Sequence, residues 1–427
     1  MSATIFSQWQ IVTQIPQAQL GDYPSISVPN CSTFVIAGGS IGNPRVFIST
    51  DNGVNFANIT GNITGTELFS VWALNSDTIF AGDGGSPSGG GGNAKIYKTT
   101  NRGANWSVIL QTGGNSGFIG SIIFQKPQQN FGIIISDPPL ENTPYWIAKT
   151  TDKGNTWNVS TAPYIPTYAT QNSGFIVDSS FYGFGTQQPG KIYITTNAGS
   201  NWSSYLIGLN SNSIPSISFE SDKLTGIAIS DISLPNIART TNGGINWQTI
   251  NIPGTSGEGD VKWIEGTDIF FFSANKLSRS SNDGTSWSDM NSSGVSLFEH
   301  FDYYKSGANT ICAYAVATDG RVLRYEGDPF GIDPNNTTIP AEYVLDQNYP
   351  NPFNPVTTVK YSIPLAGIVK LAIYDLNGRE ILNIFNRYHN AGNYIETFDM
   401  TNFSSGVYFY ELTSGKTSLT KKLALIK

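Results

Sequence analysis

The chain has 427 residues, with 24 Lys and Arg against 31 Asp and Glu, and its formal charge of −7 argues against a surface built for nucleic acid. No stretch approaches the roughly 18 uninterrupted apolar residues of a membrane-spanning helix, so no transmembrane segment is expected. Two cysteines (Cys31, Cys312) and two histidines (His300, His389) lie far apart without metal-ligand neighbours, so neither a metal site nor a cofactor is expected.

The opening residues MSATIFSQWQIV have neither a basic run nor an apolar core, so a signal peptide is absent from this numbering or the chain is not exported. Residues 6–16, FSQWQIVTQIP, read as an isolated strand. Beyond them an eight-residue stretch recurs, ending on Phe56, Trp106, Trp157, Trp202, Trp247 and Trp287, with spacings of 50, 51, 45, 45 and 40 residues. A period of this size marks an array of supersecondary units. In each copy an apolar strand (VFIS, IYKT, IAKT, IYIT, IART, LSRS) runs into a turn. There Asp51, Asn101, Asp152, Asn197, Asn242 or Asn282 is suited to bonding backbone N–H groups a few residues on. A glycine three residues before the aromatic suits a positive φ, and the hairpin closes on a ring that buries about 150–250 Å2. This S/T-x-D/N-x-G-x-x-W pattern resembles the Asp-box, or BNR repeat, of sialidases, Asp-box glycoside hydrolases and photosystem-assembly-factor-like propellers. The resemblance implies a structural role for these residues, on hairpins away from the ligand-binding face.

Four strands fit each unit, as IPSISFE, LTGIAIS, NIARTT and NWQTINI do in the fifth, so the expected fold is an all-β propeller. After Trp287 only three strands follow, in LFEHFDYY, TICAYAVAT and RVLRYEG. Residues 6–14, with Trp9 where a repeat aromatic would sit, supply the fourth and close a ring of seven blades over residues 1–326. Closure brings Cys31 and Cys312 to neighbouring blades. An oxidising exterior permits a bond, but equivalent positions on adjacent blades diverge away from the axis, so two buried thiols are expected.

The loops opposite the repeated turns are the expected ligand face. The two longest are residues 82–95, GDGGSPSGGGGNAK, and residues 136–146, SDPPLENTPYW. The glycine run lacks a GK[ST] ending and a following helix, so it reads as a flexible lid rather than a phosphate loop. The sialidase branch would need a clamp of three arginines, and no such motif is present. The xyloglucanase-like branch would need two carboxylates about 6.5–9.5 Å apart for inversion. Asp83, Asp137, Glu141 and Asp231 are the candidates, with Tyr145 and Trp146 available to stack on a sugar.

Residues 327–341, GDPFGIDPNNTTIPA, read as a linker. The strands VTTVKYSIP, IVKLAIYDL, REILNIF, YIETFDM, GVYFYELTSG and SLTKKLALIK then suit a small immunoglobulin-like sandwich over residues 342–427. Four blocks here, YPNPFNP (Tyr349, Pro350, Asn351, Pro352, Phe353, Asn354, Pro355), IYDLNGRE with Gly378 and Arg379, SGVYFYEL with Gly406, and TKKLALIK with Lys421 and Lys422, resemble the C-terminal sorting domain of the type IX secretion system of Bacteroidetes-related bacteria. The resemblance implies passage through the outer membrane by that machinery and a secreted or cell-surface location, with numbering that begins after an export signal. The functional expectation is a secreted or surface propeller that binds a glycan or a protein partner through its loop face. The alternative is a secreted glycoside hydrolase acting through a carboxylate pair.

Overall fold

Runs rich in Ile, Phe and Val, cut short by Gly, Asn and Asp, form antiparallel strands throughout the chain. The computed structural model describes residues 6–426 apart from 86–91, 141–142, 163, 165–166, 208–212, 231–236, 251, 253–258, 291–293, 296, 308–309, 328, 330–339, 341, 366 and 390–391. Two compact units result, Met1–Phe330 and Gly331–Lys427.

The first unit is a succession of four-stranded antiparallel sheets over 25–58, 68–111, 119–161, 175–205, 217–250 and 260–289, each with its strands in chain order. Residues 298–327 supply three strands of a further sheet, and Phe6–Gln14 is its fourth, on the edge beside Arg321–Gly327. Gln10 lies opposite Arg324 and Ile11 opposite Leu323, and Trp9 is fully buried against Phe271 and Tyr325. The first strand of each sheet touches the first strand of the next, and Phe298–Gly307 touches Ser25–Asn30, so the sheets form a closed ring.

A first strand has a partner on one side only, and its remaining N–H groups must find acceptors elsewhere. Small polar side chains on the preceding first strand provide them. Ser25 and Ser27 accept from the N–H groups of Val71 (3.3 Å) and Ala73 (3.0 Å), and Ser70 accepts from Ile122 (2.8 Å). Ser121 accepts from Gly174 (3.1 Å), while Ser216 and Ser218 accept from Val261 (3.1 Å) and Trp263 (2.8 Å). Asp260 accepts from Phe301 (3.3 Å), and at the closure His300 Nδ1 accepts from Ile26 (3.0 Å) and Asp302 from Val28 (2.8 Å).

The recurring turn joins the third and fourth strands and repeats one network. The hydroxyls of Ser49, Thr99, Thr150, Thr195, Thr240 and Ser280 accept from the glycine N–H four residues on, at 2.8–3.0 Å. The same hydroxyls donate to Asp51, Asn101, Asp152, Asn197, Asn242 and Asn282 at 2.8–3.1 Å. Those side chains in turn accept from the N–H four residues further on. The glycines have φ between +71° and +88°, where a Cβ would be strained. Trp106 is buried, and Trp157, Trp202, Trp247 and Trp287 pack edge-on against rings such as Phe80, Tyr182, Phe219 and Phe272. Basic residues of the third strands tie neighbouring sheets: Lys98 Nζ donates to the Gly154 carbonyl (2.9 Å), Lys149 Nζ to Ala198 (2.9 Å) and Arg239 Nε to Asp283 (2.5 Å).

Cys31 and Cys312 form a disulfide across the closure, with Cα atoms 5.1 Å apart, where two free thiols were expected. Cys31 sits in the turn after Ser25–Asn30, which packs against the strand that carries Cys312, so the divergence expected of equivalent strand positions does not apply to it. The Tyr314 hydroxyl holds the Cys31 carbonyl at 2.6 Å. Glu326 lies at ligand spacing from both sulfurs, but their bond to each other leaves no thiolate for a metal.

In the second unit a three-stranded sheet (Val344–Leu345, Val356–Ile363, Gly392–Asp399) and a four-stranded sheet (Gly367–Tyr374, Glu380–His389, Gly406–Ser414, Thr417–Leu425) share one core of Val359, Leu371, Tyr410, Leu423 and Leu425, among others. Most of the segment read as a linker lies outside the described residues.

All nine tryptophans precede residue 290, so their fluorescence reports the first unit alone. Trp9→Ala should cost that unit about 3–5 kcal/mol, read as an earlier fluorescence midpoint in urea. Cys312→Ser opens a loop of 281 residues and should lower stability by up to about 4–5 kcal/mol, read by the same titration with and without reductant.

Candidate functional site

The turns between third and fourth strands share an end of each sheet with the turns between first and second strands. The opposite end gathers the starts of the first strands and the loops between second and third strands. A cleft of about 700 Å3 opens there. Tyr23, Glu67, Phe118, Pro215, Gly259 and Glu299 line it at or just before the starts of first strands, and Asp137 and Gln187 enter from the second-to-third-strand loops. Tyr168, Ala169, Thr170, Gln171 and Asn172 complete one wall, and Tyr23 and Tyr168 stand more than half exposed at the rim.

Of the candidate acids, Asp137 is in the cleft and Asp83 is not; Glu141 and Asp231 lie outside the described residues. Asp137 is 7 % exposed, accepts the Ala169 N–H at 2.8 Å, and burial pushes its carboxyl up to about 7. Asp83 clasps the base of the glycine-rich loop instead. Its Oδ1 accepts from Gly85 (3.0 Å) and Lys95 (2.7 Å) and its Oδ2 from the Tyr97 hydroxyl (3.2 Å), so its oxygens are engaged in holding the loop. Residues 86–91, the centre of the expected lid, lie outside the described residues. Tyr145 and Trp146 do not stack on anything outside: both are buried, and the Tyr145 hydroxyl donates to the Thr167 carbonyl at 2.6 Å. Sequence reasoning missed Glu67, Glu299, Tyr23 and Tyr168. Position could have found Glu67, Glu299 and Tyr23, which lie within two residues of the start of a first strand at the mouth; Tyr168, seven residues before Phe175, carries no such mark.

The floor of the cleft is a compensated charge network. Asp260 pairs with Lys262 (2.7 Å) and with His300 Nε2 (3.1 Å), and Asp302 pairs with Lys126 (2.6 Å). Because His300 Nδ1 accepts a backbone N–H, the ring carries its proton on Nε2 and is neutral; burial pushes its pKa down to about 4. The Ser216 hydroxyl donates to Asp260 at 2.5 Å. Ser216 and His300 thus both bond the carboxylate and not each other, which is not the nucleophile–base order of a hydrolytic triad. On the other side of this floor a second cavity of about 350 Å3 is walled by Trp72, Phe124, Phe219 and Trp263.

In the second unit the segment Tyr349–Pro355 is fastened to the last strand. Asn351 Oδ1 accepts the Ala424 N–H (3.0 Å), the Phe353 N–H donates to the Ala424 carbonyl (3.0 Å), and the Ile426 N–H donates to the Phe353 carbonyl (2.9 Å). Phe353 is in the core, while Tyr349, Pro350, Asn351, Pro352 and Asn354 are exposed and Pro355 is partly so. Gly378, at φ +74°, turns the chain so that Asp375 accepts the Arg379 N–H. Gly406 starts a strand, and Lys421 and Lys422 are exposed on the terminal strand, just before the buried Leu423.

Residues 347–427 match the family model of the secretion system C-terminal sorting domain. The tail therefore carries a type IX sorting domain, which marks a secreted or cell-surface protein. No curated protein matches the chain. Among solved structures the chain is similar to YCF48 bound to D1 peptide (TM-score 0.54, 16 % identity, 76 % of this chain and 98 % of that one). It is also similar to AFV00434, an ancestral GH74 enzyme (0.54, 13 %, 99 % of this chain and 64 % of that one), and to the WD40 β-propeller domain of Doa1 (0.53, 13 %, 75 % and 97 %). At these identities the likeness is one of fold: repeated four-stranded sheets in a β-propeller. No described helix is long and apolar enough to cross a membrane.

Asp137 gives a pH signature. Its folded pKa stands above the unfolded value, so the folded state holds the proton more tightly and stability contributed by this group is lost as pH rises from about 4 through 7. Asp137→Asn keeps an acceptor for Ala169 and removes that loss. The variant should gain on the parent by up to about 4 kcal/mol at pH 8 and gain nothing at pH 4, read from urea midpoints by tryptophan fluorescence.

Proposed function

We propose that residues 1–326 form a seven-bladed Asp-box propeller that binds an extracellular glycan through the cleft opposite the Asp-box turns. An immunoglobulin-like sorting domain, residues 342–427, delivers it through the type IX machinery, with residues 327–341 as the linker. The observation that carries the binding role is the composition of the cleft. Tyr23 and Tyr168 present rings at its rim, and Gln171, Asn172, Gln187 and Gln188 line it beside Asp137, Glu67 and Glu299. Aromatic rings cover the apolar faces of sugars, and side-chain amides and carboxylates match hydroxyl groups. A concave site of this size suits an oligosaccharide better than the roughly 800 Å2 face of a protein partner.

A glycoside hydrolase is the second reading, favoured by the protonated Asp137, which has the pKa of a general acid. It requires a second carboxylate across the cleft. Asp83 is engaged elsewhere, so that carboxylate would come from Glu67 or Glu299, which line the cleft.

Two measurements test the proposal. Residues 340–427 fused behind an export signal and a reporter should carry the reporter to the surface of a type IX-competent host, and retention in the periplasm would refute the sorting role. On a glycan array the full chain should bind, Tyr168→Ala should lose about tenfold in affinity, the equivalent of about 1.4 kcal/mol for a stacked ring, and no reducing sugar should be released. Sugar release that disappears in Asp137→Asn would establish the hydrolase instead.

A further inference from the structure

The cavity on the other side of the charged floor differs in composition from the cleft. It encloses about 350 Å3, within the range of sites for small organic molecules. Aromatic side chains dominate its walls, and two of them, Trp72 and Trp263, are only partly buried. Their indole N–H groups are taken, that of Trp72 by Gln129 Oε1 (2.8 Å) and that of Trp263 by the Thr267 carbonyl (2.6 Å). Both therefore offer a ligand ring surface and no hydrogen bond.

On the floor, acceptors and donors are unequally used. Asp260 accepts from Lys262 (2.7 Å), the Ser216 hydroxyl (2.5 Å), His300 Nε2 (3.1 Å) and the Phe301 N–H (3.3 Å), which fills the roughly four lone-pair sites of a carboxylate. An ammonium group has three donors. Among the described residues Lys126 uses two, on Asp302 (2.6 Å) and the Tyr303 carbonyl, and Lys262 uses one, on Asp260. Both lysines line the cavity, and Lys126 Nζ lies 5.5 Å from the centre of the Trp72 ring. Their charges are balanced by Asp302 and Asp260, and Glu265 also lines the cavity, so no net positive charge faces it.

We propose that this inner cavity is a second binding site, for a neutral aromatic compound bearing an oxygen acceptor, with its ring against Trp72 and its oxygen on the remaining N–H of Lys126. The proposal does not depend on what the cleft binds. A ligand ring gains from the ring-lined wall, and an acceptor oxygen meets a donor that the protein leaves unused. A cationic ligand would bring more donors to a floor short of acceptors. An anionic one would meet Glu265 with no unbalanced cation to offset the repulsion.

The test is equilibrium dialysis of the full chain at pH 7 against four probes: coumarin (neutral, with a carbonyl), naphthalene (no oxygen), 2-naphthoate and 1-naphthylmethylamine. Coumarin should bind at least tenfold more tightly than either charged probe and more tightly than naphthalene. Lys126→Met should abolish its advantage over naphthalene, and Trp72→Leu should weaken both at least fivefold. Urea titration verifies that each variant is folded, and the partly exposed Trp72 serves where replacing Lys126 beside the buried Asp302 is not tolerated. Binding of no probe, or coumarin binding unchanged in Trp72→Leu, would overturn the site. Naphthalene binding as tightly as coumarin to the parent chain would overturn the role of Lys126, and tighter binding of either charged probe would overturn the neutral class.

Discussion

The ring depends on how the first strands satisfy their free edges. Each is hydrogen-bonded along one side only, and near the axis there is no room for another strand. Side chains of Ser, Asp and His on one first strand therefore accept the N–H groups of the next, from Ser25 and Ser70 round to Asp302. Each such bond contributes only about 1 kcal/mol, but a buried N–H left without an acceptor costs about 1–3 kcal/mol, so the geometry of every blade is tied to that of its neighbour. This also accounts for the polarity of the axis: Asp260 and Asp302 are charged acceptors, and buried charges persist only when paired, which Lys262 and Lys126 provide.

At the outer end of each sheet the problem is a sharp turn rather than a free edge, and it has a local solution. One hydroxyl and one Asp or Asn side chain satisfy the turn's own backbone, so six turns fold alike with side chains within eight residues of one another. Neighbouring blades then meet through Lys98, Lys149 and Arg239, whose cationic ends reach carbonyl groups that the next turn leaves facing outward.

That contrast explains what could be read from the sequence. The turns, the strands flanking them and the placement of Phe6–Gln14 beside Arg321–Gly327 are legible because the determinants are local or because one strand is missing from an otherwise regular count. The disulfide was not legible. Whether Cys31 meets Cys312 depends on the turn after Ser25–Asn30 leaving the strand path, which a periodic pattern does not specify. The acids show the same limit. Asp83 and Asp137 both lie at the end of a second strand, yet one is spent on Gly85, Lys95 and Tyr97 and the other faces the cleft, a difference set by partners elsewhere in the chain. Tyr145 lies in the same loop as Asp137, but its hydroxyl finds the Thr167 carbonyl and its ring the core.

The division of labour between the two ends of the propeller follows from these constraints. The end that carries the repeated turns is occupied: its hydroxyls, Asx side chains and cations are already engaged with backbone. The other end is lined by residues that merely precede a strand, and nothing in the packing of a blade dictates their identity. Glu67 sits just before a first strand and Tyr168 and Gln187 in connecting loops, around a floor tied together by Asp260, Lys262 and His300. Binding residues on variable loops above a rigid scaffold is the arrangement in which ligand specificity changes without cost to the fold. The chemistry of this cleft, acidic, amide-rich and bounded by two tyrosines, is therefore set largely by residues that the packing of the blades does not require.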